Sequence, residues 1–238
     1  MNKDFCKDIK SSRASVSIDL DWHGRPLIIA FGGIVGGMEI PPFEFFNITS
    51  GLCVNKIYLR DLKQSWYHSG LSGVTTNIDE TVCFLKKKIT ACRPSKVVVV
   101  GNSMGGYASI LFGVLLKADI VHSFSPQSFI NKFSRILCWD RRWRAQIAAI
   151  YCLGNSRRFL DLKEILKSTD ITGEVHVYYS AKNRLDKKHA ERLAFSNKVE
   201  LHTFVGKDHA LVKLLRDSGE LENILLKSLL QNDSTLGL

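Results

Sequence analysis

The chain has 238 residues, 45% of them hydrophobic and 24% charged, which suits one α/β domain with an ample core and excludes a disordered or fibrous protein. Lysine and arginine outnumber aspartate and glutamate by 33 to 23, a net charge of +10. Such a bias suits nucleic acid, anionic lipid, an acidic polysaccharide or a phosphorylated donor as partner, or is no more than a basic surface.

The first fifteen residues, "MNKDFCKDIKSSRAS", are polar and mixed in charge and do not read as a secretory signal. Seven short apolar runs bounded by turn residues then read as strands: Ser15 to Asp21, Pro26 to Phe31, Lys56 to Asp61, Lys96 to Gly101, Asp119 to Phe124, Glu174 to Tyr179 and Val199 to Phe204. Two of them, "LIIAF" and "VVVV", are continuous rather than alternating, as central strands covered on both faces are. Between them lie helical patterns: "TTNIDETVCFLKKKITACR" closed by Pro94, "MGGYASILFGVLLK", "DKKHAERLAF" and "DHALVKLLRDSGELENILLKSLL". This alternation predicts a mostly parallel, doubly wound α/β sheet with right-handed crossovers.

One connection is too long for a crossover. Residues 127–170 read as a helical cap inserted within a single domain spanning 1–238, lying over the edge where substrates enter. The longest nearly apolar run, Ala145 to Leu153, falls far short of the roughly 20 residues that span a bilayer. The cysteines Cys6, Cys53, Cys83, Cys92, Cys138 and Cys152 are scattered without C-x-x-C spacing. They read mostly as buried free thiols in a reducing cytoplasm, and no zinc-type cluster is visible.

The chemistry concentrates at "VVVVGNSMGGYAS", where Gly101-Asn102-Ser103-Met104-Gly105 fits G-x-S-x-G between a strand and a helix. A serine on that turn needs small neighbours, and the helix start directs free N–H groups at a developing oxyanion. A serine hydroxyl also needs a base, which in turn needs an orienting acid. Asp186, after the sixth strand, and His209, after the seventh, occupy suitable loops. Asp208 competes as the acid and His68 as the base, while Asp186 has an alternative role as a helix N-cap. His122, His176 and His202 fall inside strands and His189 inside a helix, where packing roles are the default. The oxyanion donors are expected from Met104 and from Gly33 in "AFGGIVGG", with Gly32 permitting close approach.

Together, Gly32-Gly33, the elbow from Gly101 to Gly105, Asp186 and His209 resemble the α/β-hydrolase superfamily along nearly the whole chain. The resemblance implies acyl transfer through a covalent acyl-serine, with no metal and no cofactor for hydrolysis of a small ester or thioester. A narrower resemblance, carried by "NSMGGYAS", "FSPQ" (Phe124 to Gln127) and "LGNSRRFLD" (Leu153 to Asp161), is to the capsule O-acetyltransferases of the meningococcal serogroup A type and related proteins of bacterial polysaccharide biosynthesis. That family implies acetyl-CoA as donor and a sugar hydroxyl as acceptor. A non-catalytic binding relative of the fold is the remaining alternative.

"CWDRRWR" bears on the partner. Trp139, Arg141, Arg142 and Trp143 suit a grip on an acidic glycan or on donor phosphates, rather than on nucleic acid. They equally suit an amphipathic cap helix with tryptophans inward and arginines in water.

Overall fold

The computed structural model describes residues 3–36, 39–154, 157–205 and 211–230. The apolar runs form seven strands: β1 (Val16–Asp19), β2 (Leu27–Phe31), β3 (Asn55–Leu59), β4 (Val97–Asn102), β5 (Ile120–Phe124), β6 (Glu174–Ser180) and β7 (Val199–Phe204). Each coincides with a run read from the sequence, its ends differing by at most two residues. They pair in the order β1-β3-β2-β4-β5-β6-β7, all parallel except the edge strand β1. β2 and β3 are buried at every position, because helices cover both faces of the sheet.

The helices are α1 (Lys3–Lys10), α2 (Phe46–Thr49), α3 (Ile78–Cys92), α4 (Met104–Leu116), α5 (Lys132–Cys138), α6 (Arg144–Cys152), α7 (Leu162–Ser168), α8 (Arg184–Glu191), α9 (Leu211–Asp217) and α10 (Glu220–Leu230), with a single 3-10 turn at Arg157–Phe159. Strand alternation sorts the core into two layers. Leu27, Ile29 and Phe31 pack with α3, α4 and α7, while Ile28 and Ala30 pack with α9 and α10.

Local chemistry sets the ends. Asn77 caps α3 by accepting from Glu80 N, and the Glu80 carboxylate reaches back to Thr76 N, so two orphan donors are satisfied. The last helical pattern is broken in two, because Gly219 takes φ 75° and separates α9 from α10. The polar N-terminus carries a helix that composition did not reveal. Its anchor is Phe5, buried against the rings of Phe46 and Tyr58.

The expectation of mostly buried thiols is not met. Cys53, Cys83 and Cys152 are exposed free thiols and Cys92 alone is fully buried among those described, because α3 and α6 turn Ile78, Leu85, Ile147 and Ile150 to the core instead. Residues 125–173, between β5 and β6, hold α5, α6 and α7. The segment's two ends pair with each other through Ile130 N to Leu160 O and Leu162 N to Ser128 O. α5 buries no residue and leaves Phe133, Ile136 and Leu137 exposed. Among the described residues no helix is long and apolar enough to cross a membrane.

Candidate active site

The chain runs from β2 outward to β3 and then returns to β4 on the other side of β2. Strand order reverses there, and ligands of open α/β sheets bind beyond the carboxyl ends of the strands at such points. Ser103 follows directly on the end of β4. It is buried, heads α4, and holds φ 56° and ψ −112°, a strained conformation for a residue with a side chain.

The surrounding packing fixes that conformation. Ser103 N donates to Phe124 O and Ser103 O accepts from Tyr107 N. A Cβ on Gly101 would lie 2.0 Å from Gly105 O, and one on Gly105 would lie 2.2 Å from Phe31 O. The turn therefore closes only with glycine at both positions. Gly106 is equally confined: its Cβ would meet Phe124 O at 2.8 Å, so the third glycine serves close packing of α4 on β5.

The loop after β2 meets this turn. Gly32 N donates to Leu59 O, and Tyr67 Oη donates to Gly32 O, so the loop is held from both sides. A Cβ on Gly32 would lie 3.0 Å from Pro42 O, and one on Gly33 would lie 2.9 Å from Asn102 O. Met104 is fully buried at the first position of α4, where the helix N–H groups have no intrahelical acceptor.

Glu44 joins this loop, and sequence reasoning had passed over it. Burial pushes its carboxyl up to about 7, against hydrogen bonds from the Gly33 backbone and the Asn102 side chain. Its Oε2 is buried with no hydrogen-bond partner. Beside it opens a cavity of about 560 Å³ lined by Phe43, Glu44, Phe45, Arg60, Asn102 and Lys213, among others. The signal available in the sequence was one acid inside the apolar run "PPFEFF".

Asp186 lies in the first turn of α8 and is buried. Capping belongs to Asn183, which accepts from Leu185 N and Asp186 N, so the N-cap alternative for Asp186 falls away. Arg142 reaches it across 3.2 Å and also grips Asp140 through Nε–Oδ1 at 3.0 Å and Nη2–Oδ2 at 2.8 Å. His189 Nε2 stands 3.0 Å from Asp140 Oδ2, its Nδ1 stands 3.2 Å from Ser128 Oγ, and its ring stacks on Phe129. Burial would raise the Asp140 carboxyl, but hydrogen bonds from His189 and Arg142 outweigh it and hold it well below the usual carboxylate range. Burial also lowers the His189 pKa, favouring the neutral ring that donates to Asp140 and accepts from Ser128.

Solved structures share this architecture. A chain of the Glycosylation Associate Protein (Gap123) complex from Streptococcus agalactiae superposes on 92% of this chain with a TM-score of 0.65 at 15% identity, although this chain spans only 44% of that one. The capsule O-acetyltransferase of Neisseria meningitidis serogroup A matches over 91% of this chain and 90% of its own, with a TM-score of 0.63 at 14% identity. MGS-MChE2, an α/β hydrolase from lagoon sediments of Mar Chica, Morocco, matches over 87% and 92% with a TM-score of 0.54 at 14% identity. The fold is that of the α/β-hydrolases. No protein-family model matches the sequence. No curated protein matches it either.

Within the α/β-hydrolase fold, the remaining sequence-derived residues fall in different places. His209 and its neighbour Asp208 lie outside the described residues. His68 is buried, 3.3 Å from Tyr107 Oη and stacked on that ring, with its pKa lowered by burial to about 4. Trp139 and Arg141 are exposed, with the Arg141 guanidinium 5.3 Å from the Trp139 ring centroid. Trp143 packs partly buried against the core, so the pattern of two inward tryptophans holds for only one of them. Arg142 is turned toward Asp140 and Asp186 rather than into water.

Proposed function

We propose that the chain is an acyl-transfer enzyme of the serine type, in which Ser103 is acylated and the acyl group then passes to an acceptor. The observation that carries this is the strained backbone of Ser103 at the head of α4, at the switch point of the sheet. Holding a serine there costs of order 1–3 kcal/mol and is common where geometry serves function. In this reading His209 takes the Ser103 proton as the Oγ–acyl bond forms, then returns it to the leaving group. Asp186 fixes the imidazole tautomer, and Arg142 and Asp140 hold Asp186 in place. Gly33 and Met104 offer their N–H groups to the oxyanion, a donor pair of which each member is worth about a hundred- to a thousandfold in turnover.

With water as acceptor this is an esterase or thioesterase needing no cofactor. A second reading has acetyl-CoA as donor and a hydroxyl of a cell-surface polysaccharide as acceptor. It is supported by the match to the meningococcal capsule O-acetyltransferase, which covers nine-tenths of both chains, and by a second structure of that enzyme, a histidine-to-alanine mutant in complex with CoA. Trp139 and Arg141, exposed on the cap, are the candidate contacts to an acidic glycan or to donor phosphates.

Release of free CoA from acetyl-CoA, measured with and without acidic polysaccharide, separates the two. Stimulation by the glycan supports transfer. Brisk hydrolysis of simple esters without stimulation supports the hydrolase. Ser103→Ala is expected to abolish both activities in a folded protein, and retained turnover in that variant contradicts the nucleophile assignment.

A further inference from the structure

A second cluster of chemistry-bearing side chains stands apart from Ser103, toward the starts of β6 and β7. The strand register pairs His176 with Glu200 and Tyr178 with His202. Glu200 and His202, two residues apart, therefore project to the same face as His176. There His176 Nδ1 lies 3.0 Å from His202 Nε2, and Glu200 Oε2 lies 3.3 Å from the same Nδ1. Glu200 Oε1 stands 3.7 Å from His202 Nε2. One ligand atom from each of the three residues lies within 4.8 Å of the other two.

Spacings of 3.0, 3.3 and 3.7 Å bracket those of a tetrahedral ligand set. A tetrahedral ion bound at about 2.0–2.2 Å has ligand atoms roughly 3.3–3.6 Å apart. A partner that orients the ligands is also present. His176 turns its other nitrogen, Nε2, to Glu174 Oε2 at 3.4 Å, the carboxylate contact that fixes the tautomer of a metal-ligating histidine. The rings are held in place, His202 stacked on Tyr178 with centroids 4.5 Å apart and His176 on His122 at 5.3 Å. His122 itself is committed to Tyr178 Oη at 3.0 Å and Ser228 Oγ at 2.7 Å, and so stands behind the cluster rather than in it. Glu200 is exposed while both histidines are half-buried, which gives an ion a path from solvent.

We propose that His176, His202 and Glu200 bind one divalent transition ion of the zinc class, with Glu174 as the orienting partner and a water molecule completing the coordination. Two imidazoles and one carboxylate suit such an ion and not magnesium or calcium, which prefer all-oxygen shells. The site joins β6 to the edge strand β7 at the end of the sheet opposite Ser103. Its role is to fasten that edge, and the acyl chemistry does not pass through it.

Cobalt, a spectroscopic stand-in for zinc, tests this on the full chain after treatment with a chelator. Visible absorption should rise to saturation at one Co2+ per chain and be displaced by Zn2+. Glu200→Gln, a change at an exposed side chain, should weaken binding tenfold or more, and His176→Ala should abolish it. Glu174→Gln should weaken it by about 10- to 100-fold, as loss of a carboxylate behind a ligating histidine does. His23→Ala, on an exposed turn, should leave it unchanged. The absence of a saturable band, or an affinity unchanged in Glu200→Gln, overturns the proposal, even if His176→Ala fails to fold. Both outcomes are independent of whether Ser103 is the nucleophile.

Discussion

Glu44 meets the same Gly33 that abuts the serine turn, a Cβ there lying 3.1 Å from Glu44 Oε1 and 2.9 Å from Asn102 O, and that arrangement governs what the site can do. Gly33 N–H is engaged by the Glu44 carboxyl, so an acyl oxyanion must compete with Glu44 for that donor. An ionised Glu44 competes better than a protonated one and also repels the developing negative charge. With its pKa pushed up to about 7, Glu44 changes state in the working range of a histidine base. The ratio of the Glu44→Gln rate to the wild-type rate is therefore expected to rise several-fold as pH passes upward through 7. A ratio that stays flat from acid to alkaline pH would sink this role. The serine turn was legible at this scale because glycine spacing betrays a crowded backbone. Glu44 was not, since its partners come from Gly33 and Asn102, far apart in sequence and brought together only by the sheet.

Among the elements, the segment between β5 and β6 is tied to α8 by charge. Asp140, Arg142, His189 and Asp186 form one connected network in which Asp140 is nearly enclosed, its side chain 5% exposed. Removing one member leaves the others desolvated and unpaired, a loss worth about 3 kcal/mol or more. Asp140→Ala should lower the urea unfolding free energy by roughly that amount, and it should lower kcat more than it raises KM, because Asp186 loses its support. A change below about 1 kcal/mol would mean that the network contributes no more than an ordinary surface pair. The strands were readable from apolar runs alone, and so was the excess length between β5 and β6. The network was not. Arginines in "DRRWR" look alike in sequence, and only packing selects Arg142 to turn inward while Arg141 stays in water.

At the scale of the whole molecule, buried histidines set the acid limit of stability. Burial lowers the pKa of His68 to about 4 and of His122 to about 3, and lowers those of His189 and His202 as well. Each binds its proton less readily when folded than when unfolded, so the unfolded state binds more protons below about 6.5 and stability falls with falling pH. Glu44 and Asp61, raised by burial, act in the opposite sense but are two against four. The metal-free protein should therefore lose stability from pH 6.5 down toward 4, by about 1.4 kcal/mol per pH unit for each net proton. A urea midpoint that is constant over that range would contradict the burial of these rings. The doubly wound architecture follows from strand and helix alternation, whereas the histidine pair on β6 and β7 depends on a register that no local pattern carries.

The central claim is that Ser103 carries the acyl group, and intact mass spectrometry measures it directly. Incubation with an activated acetyl ester or with acetyl-CoA, followed by rapid acid quench, is expected to show one acetyl group per chain. Peptide mapping should locate it on Ser103, and Ser103→Ala should show none. Turnover by the wild-type chain with no adduct at Ser103 under any quench, or with the adduct on another residue, would contradict the account.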